Sequence, residues 1–245
     1  MEPETRHWIS LILVSVAMIF GIVAYTGADG DVGWSVVDYK IEQNVFGQTY
    51  TTEIYTRLGL LKYKSRVERS HGDTSTDTVS YNDNDEKDGC TKSARIWISI
   101  SYDTGFASQC SLYFPYLGSF CDDCADTGSG VVSMLTFAFV ALIIASVFIV
   151  IRKNDAQSGT NGIFKKIVTS GSCIAAAVFF FICWSSWLGG CQEKVIKFYE
   201  DQEDQDQQKG ADGTTPSTGF AMSFVSMLFA GLAGLNELCI THMAS

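Results

Sequence analysis

Charge is scarce in this sequence, and proline scarcer still. Only 18% of its 245 residues are charged, against 47% apolar, with a mean hydropathy of +0.13; a soluble domain ordinarily carries about 25% charged residues. Just three prolines occur, none inside the long apolar runs, so the broken helices that membrane carriers place near the bilayer midplane are missing. There is no GxSxG, Walker A, HExxH or dinucleotide glycine fingerprint, and the three histidines, His7, His71 and His242, are scattered along the chain. A hydrolase, kinase or zinc enzyme therefore has no visible machinery. The expectation is a non-enzymatic protein with no catalytic residue, no metal site and no cofactor. With an isoelectric point near 4.7 and no basic patch, nucleic acid is not a partner.

What is present is hydrophobic length. Four runs, Trp8–Thr26, Val131–Ile151, Ile167–Leu188 and Phe220–Ile240, contain a single charge, Glu237. Each is long enough, at 1.5 Å per residue, to cross a hydrocarbon core of about 30 Å. Trp8 and Tyr25 bracket the first, Arg152 follows the second, Lys165 and Lys166 precede the third, and Trp184 and Trp187 mark its far end as interfacial aromatics. A cleaved signal peptide is the rival reading of the first run. Its leading segment, however, sets Glu2 and Glu4 against Arg6, and the run exceeds a usual h-region of about 7–15 residues.

Orientation follows from the positive residues. The connection 152–166 holds four Lys/Arg and reads as cytoplasmic, which puts both termini (1–7 and 241–245) inside and two loops, 27–130 and 189–219, outside. Those loops together carry 12 basic and 23 acidic residues, nearly all the acidity of the chain. The expected location is the plasma membrane, as a multi-pass protein in contact with the lipid bilayer and other integral membrane proteins.

The long first loop has the two-residue period of strands. Ile96, Ile98 and Ile100 alternate within Ala94–Tyr102, and Gly33–Phe46 and Tyr50–Val67 are rich in β-branched and aromatic residues across a turn at Gly47-Gln48. Ser70–Gly89 is polar and acidic and reads as an excursion between strands. Its run Asp83–Gly89 misses the EF-hand register, because Gly89 and a bidentate acid do not fall at positions six and twelve together; weak binding of extracellular cations is all it implies. Residues 200–213 are acidic low-complexity sequence with a solvated reading.

Of eight cysteines, Cys90, Cys110, Cys121, Cys124 and Cys191 fall in the outer loops and Cys173, Cys183 and Cys239 in the spans. The simplest expectation is two disulfides among the four of the first loop, with Cys191 as an odd partner and three connectivities open. A redox-active Cys121-Asp-Asp-Cys124 is the sharper alternative, but neighbouring acids disfavour a thiolate.

Small residues four apart, Ala17 and Gly21, Gly171 and Ala175, Ala230 and Gly234, mark faces where helix backbones can approach closely. They fit packing inside the bundle better than a dedicated oligomer interface. Glu237 lies about 26 Å along the fourth span, near its inner end, where snorkelling to the interface is a more economical reading than ion binding.

The fold class is therefore an all-α four-helix transmembrane bundle with a small β-rich, disulfide-stapled extracellular domain in the first outer loop. With Trp34 and Leu58-Gly59-Leu60-Leu61 in that loop, the plan resembles the claudin and peripheral-myelin-protein superfamily, which includes the auxiliary γ subunits of calcium channels and glutamate receptors. That family has a tryptophan where this chain has Leu61. The resemblance implies inner termini, a disulfide role for Cys110 and Cys121, and a function in lateral or cell-to-cell contacts, at a junction or as an accessory subunit of a channel or receptor. A pore-forming homo-oligomer and a membrane thiol-disulfide oxidoreductase are the alternatives. Tetraspanins and connexins fit less well, since the large loop here is the first and its cysteines do not match theirs.

Overall fold

The computed structural model describes residues 3–27, 33–45, 48–60, 62–71, 97–101, 118–158, 163–197 and 213–239. The acid run 83–89, Cys90, Cys110, the side chain of Cys121 and the low-complexity stretch 200–212 lie outside them. The elements run α1 (Pro3–Thr26), β1 (Ser35–Val45), β2 (Gln48–Leu58), β3 (Lys62–His71), β4 (Trp97–Ser101), α2 (Gly118–Ser158), α3 (Ile163–Trp187), β5 (Gly213–Pro216) and α4 (Thr218–Cys239). The chain divides into two compact units, one of Met1–Thr26, Ser129–Trp187 and Thr218–Ser245, the other of Gly27–Gly128 and Leu188–Ser217.

The first unit is helical. All four helices are long and apolar enough to cross a membrane, which fits an integral multi-pass membrane protein. Each buries a narrow stripe spaced alternately three and four residues apart: His7, Ser10, Val14, Ala17, Gly21 and Ala24 on α1, and Val131, Leu135, Ala138, Leu142, Ala145, Ile149 and Arg152 on α2. That 3.5-residue period is the seam of left-handed helix packing. Around it lies an apolar outer belt, with Ile12, Ile19, Ile143, Val147, Leu232 and Leu235 each at least half exposed. In lipid such a belt costs nothing, and cohesion comes from close contact and polar bonds between helices. Aromatic rings fill the wider gaps: Phe20 stacks on Phe229 at 6.1 Å, and Phe139 meets both Tyr25 at 6.2 Å and Phe180 at 6.5 Å.

Helix limits differ from the hydropathy reading. α2 has 41 residues and begins at Gly118, so residues 118–130 are helix and not part of a β-rich loop. At its other end α2 continues to Ser158 and α3 starts at Ile163, so all four basic residues of the connection 152–166 lie in the helix ends.

The second unit contains a five-stranded antiparallel sheet in the order β4-β3-β2-β1-β5. Tyr50–Val67, read from sequence as one segment, is two strands, and β1 pairs with β2 from Ser35↔Leu58 to Val45↔Gln48. The edge strand β5 comes from the other long loop and pairs Ser35↔Pro216; four residues, G-T-T-P, carry too little pattern to announce it. Gly33, at φ 62°, occupies the left-handed region just before β1. The core of this unit is Trp34, Val37, Leu58, Leu60, Cys124, Cys191 and Val195, all at most 2% exposed. Fully burying one such side chain contributes about 1.5–3 kcal/mol.

Gly128 of α2 lies against the β2–β3 connection so closely that a Cβ there would fall 1.8 Å from the Leu60 carbonyl oxygen, whereas a Cβ at Gly130 would meet nothing within 4 Å. Gly128→Ala is therefore expected to lower stability by about 1–3 kcal/mol through forced backbone displacement. Gly130→Ala should leave stability unchanged or raise it by up to about 1 kcal/mol through helix propensity. Thermal unfolding of the two purified variants, side by side, checks both.

Candidate functional site

Three features of the described residues bear on function: a buried ionic cluster, a disulfide between the two long loops, and a lateral groove.

The cluster sits at the end of the helical unit where α1 begins and α4 ends. Glu237 continues the buried stripe of α4, Arg152 that of α2 and His7 that of α1, and all three are at most 1% exposed. Arg152 Nη1 donates to Glu237 Oε2, and His7 Nδ1 donates to Oε1 at 3.2 Å. One carboxylate thus ties three helices. Neighbouring neutral bonds reinforce it: Asn236 Nδ2 donates to the Arg6 carbonyl at 3.1 Å and to Ser10 Oγ at 2.8 Å, and Ser170 Oγ of α3 donates to the Gly234 carbonyl at 3.2 Å. At the rim, Lys153 Nζ lies 3.9 Å over the Trp8 ring and Lys165 pairs with Asp155. Arg152 Nε and Nη2 and His7 Nε2 are buried without a hydrogen-bond partner among the described residues.

Glu237 accordingly does not snorkel; it is paired inside the bundle. Sequence reading took Arg152 for an interfacial anchor and His7 for an isolated histidine. The signal that joins them was present in the 3.5-residue stripes, which put all three side chains on inward faces at one end of their helices.

The disulfide is Cys124–Cys191, with a Cα–Cα distance of 4.5 Å and 67 residues between its members. Cys191 is thus not an odd partner, and Cys124 does not pair within its own loop or with Cys121. A π-helical turn, Leu188–Gln192, carries Cys191 against α2, and only glycine fits beside it: a Cβ at Gly190 would meet Thr127 Oγ1 at 2.2 Å. Trp34 and the Leu58–Leu60 stretch come together, Trp34 donating its backbone N–H to the Leu58 carbonyl at 2.6 Å.

The small residues separate into two groups. Ala17 and Ala230 are fully buried; a Cβ on Gly21 would meet Phe139 and Phe180 at 3.1 Å, and one on Gly234 would meet Ile174 Cγ1 at 3.0 Å. These four serve packing within the bundle. Gly171 and Ala175 instead line an open groove of about 460 Å³ between α2 and α3, walled by Phe137, Ile144, Ile167 and Phe179. A Cβ at Gly171 would meet nothing within 4 Å.

Among the described residues no group of three or more His, Cys, Asp or Glu side chains could hold a metal ion. The chain matches no family model and no curated protein.

Proposed function

We propose that this is a non-enzymatic four-span protein that makes lateral contacts with another integral membrane protein, as an accessory subunit of a channel or receptor, and presents its sheet outside the cell. The observation that carries this reading is the α2–α3 groove. Of the three small-residue pairs, Ala17–Gly21 and Ala230–Gly234 have a neighbouring helix or ring against them, whereas the Gly171–Ala175 face is open. In lipid, helix association depends on such close-approach faces. Arg152 and Lys153 near the end of α2 and Lys165 and Lys166 at the start of α3 support an inward-facing connection, hence an outward sheet, by the positive-inside rule. The claudin-like plan supports the same role, since Trp34 and Leu58–Leu60, which carry the resemblance, are adjacent and buried.

Purification in mild detergent, with native mass determination and identification of co-purifying chains, tests the proposal. A larger membrane protein in fixed stoichiometry is the expected result. Gly171→Phe, which fills the groove without touching the bundle interior, should reduce recovery of that protein by about tenfold, equivalent to ~1.4 kcal/mol of lost association. A lone monomer, or a homo-oligomer of fixed size indifferent to Gly171→Phe, would overturn the accessory role.

A further inference from the structure

We propose that His7, Glu237 and Arg152 form a proton-operated latch, in which protonation of His7 releases the first turns of α1 from α4.

The Glu237 carboxylate is already matched in charge by the Arg152 guanidinium. With His7 neutral and its Nδ1–H donated to Oε1, the cluster carries no net charge and Nε2 presents a bare lone pair. Protonation changes two things at once. It places an N–H at Nε2, a buried position with no hydrogen-bond partner. It also puts a second cation on a carboxylate that has only one negative charge to share.

The charged side chains described around the cluster do not relieve that excess. α1 contributes Glu4 and Arg6; α2 contributes Lys153, held over Trp8, and Asp155, which is engaged by Lys165 of α3; α3 also carries Lys166; α4 has only Glu237 in its last turns. Among the described residues, Arg6, Arg152, Lys153, Lys165 and Lys166 outnumber Glu4, Asp155 and Glu237 at this end. The excess is relieved when His7 moves to water, and what it leaves behind, the Arg152–Glu237 pair, remains balanced. The hydrogen bonds from Asn236 to the Arg6 carbonyl and to Ser10, which also join α4 to α1, are neutral and do not oppose the movement electrostatically. Imidazole is the side chain whose ordinary titration spans the pH range of cells.

The test is hydrogen–deuterium exchange of the full chain in lipid nanodiscs at about pH 7.5 and about pH 5.5, corrected for intrinsic exchange chemistry. Wild-type protection in peptides covering residues 5–12 and 233–239 should fall on the order of tenfold on acidification. In His7→Asn, whose amide N–H can take the place of Nδ1–H without titrating, protection should be flat. Wild-type protection that is unchanged or rises at low pH overturns the latch, as does an equal response in His7→Asn. Should His7→Asn not fold, ¹⁵N imidazole spectra of the wild type decide: His7 must pass from the Nδ1–H tautomer to the doubly protonated ring over the interval in which protection is lost. Titration without that loss, or no titration, also overturns it.

Discussion

Glu237→Gln is expected to destabilise the protein by about 3–5 kcal/mol, the cost of leaving a fully buried cation without its counter-charge. Arg152 has no exposure through which water could compensate, and two of its donors already lack partners. The double variant Glu237→Leu with Arg152→Met should recover most of the loss, because removing both charges also removes both desolvation penalties. Asp155→Asn supplies the contrast: the Lys165–Asp155 pair is 38% and 21% exposed, and breaking a part-solvated pair costs about 1 kcal/mol or less. Thermal unfolding of the four proteins in one detergent measures these differences. If Glu237→Gln unfolds with the wild type, the buried pair contributes no net stability and its account here fails.

The cluster shows how far the sequence reveals a site. Hydropathy located four helices, the last to within two residues at its start and one at its end, because twenty apolar residues in a row admit few other structures. It also singled out Glu237 as the one intramembrane acid. It did not find the partners, since Arg152 and His7 flank apolar runs and each alone reads as an ordinary interfacial residue. Register along the buried stripe is what separates an anchor from a partner, and that register becomes informative only when several helices are compared at the same depth. The beginning of α2 was hidden for a different reason. Residues 118–130 include Gly118, Gly128 and Gly130 with three aspartates, a composition of low helix propensity. Tertiary contacts there override propensity: Gly128 abuts Leu60, and Cys124 is held by Cys191. The strand pattern was legible in its alternation, while β5, at four residues, depends on its pairing with β1.

Cys191→Ser should cost about 2–4 kcal/mol and leave the four helices intact. A cross-link between residues 67 apart restricts the unfolded chain, and by loop length alone the stabilisation would reach about 4 kcal/mol. Much of that loop is the α2–α3 hairpin, whose helices stay formed in a bilayer even when tertiary contacts are lost, so the effective loop is shorter and the lower part of the range is expected. Because both cysteines are fully buried, as Trp34 and Leu60 are, in the sheet unit, the loss should appear as increased proteolysis within 33–71 and 188–197, with the helical spans remaining protected. Cys124→Ser and the double variant should match Cys191→Ser, since each removes the same bond. Cys121→Ser should leave the Cys124–Cys191 bond in place. Were Cys121→Ser and Cys124→Ser instead equivalent and distinct from Cys191→Ser, a working pair at 121 and 124 would be indicated, and the fixed link between the two long loops would have to be abandoned.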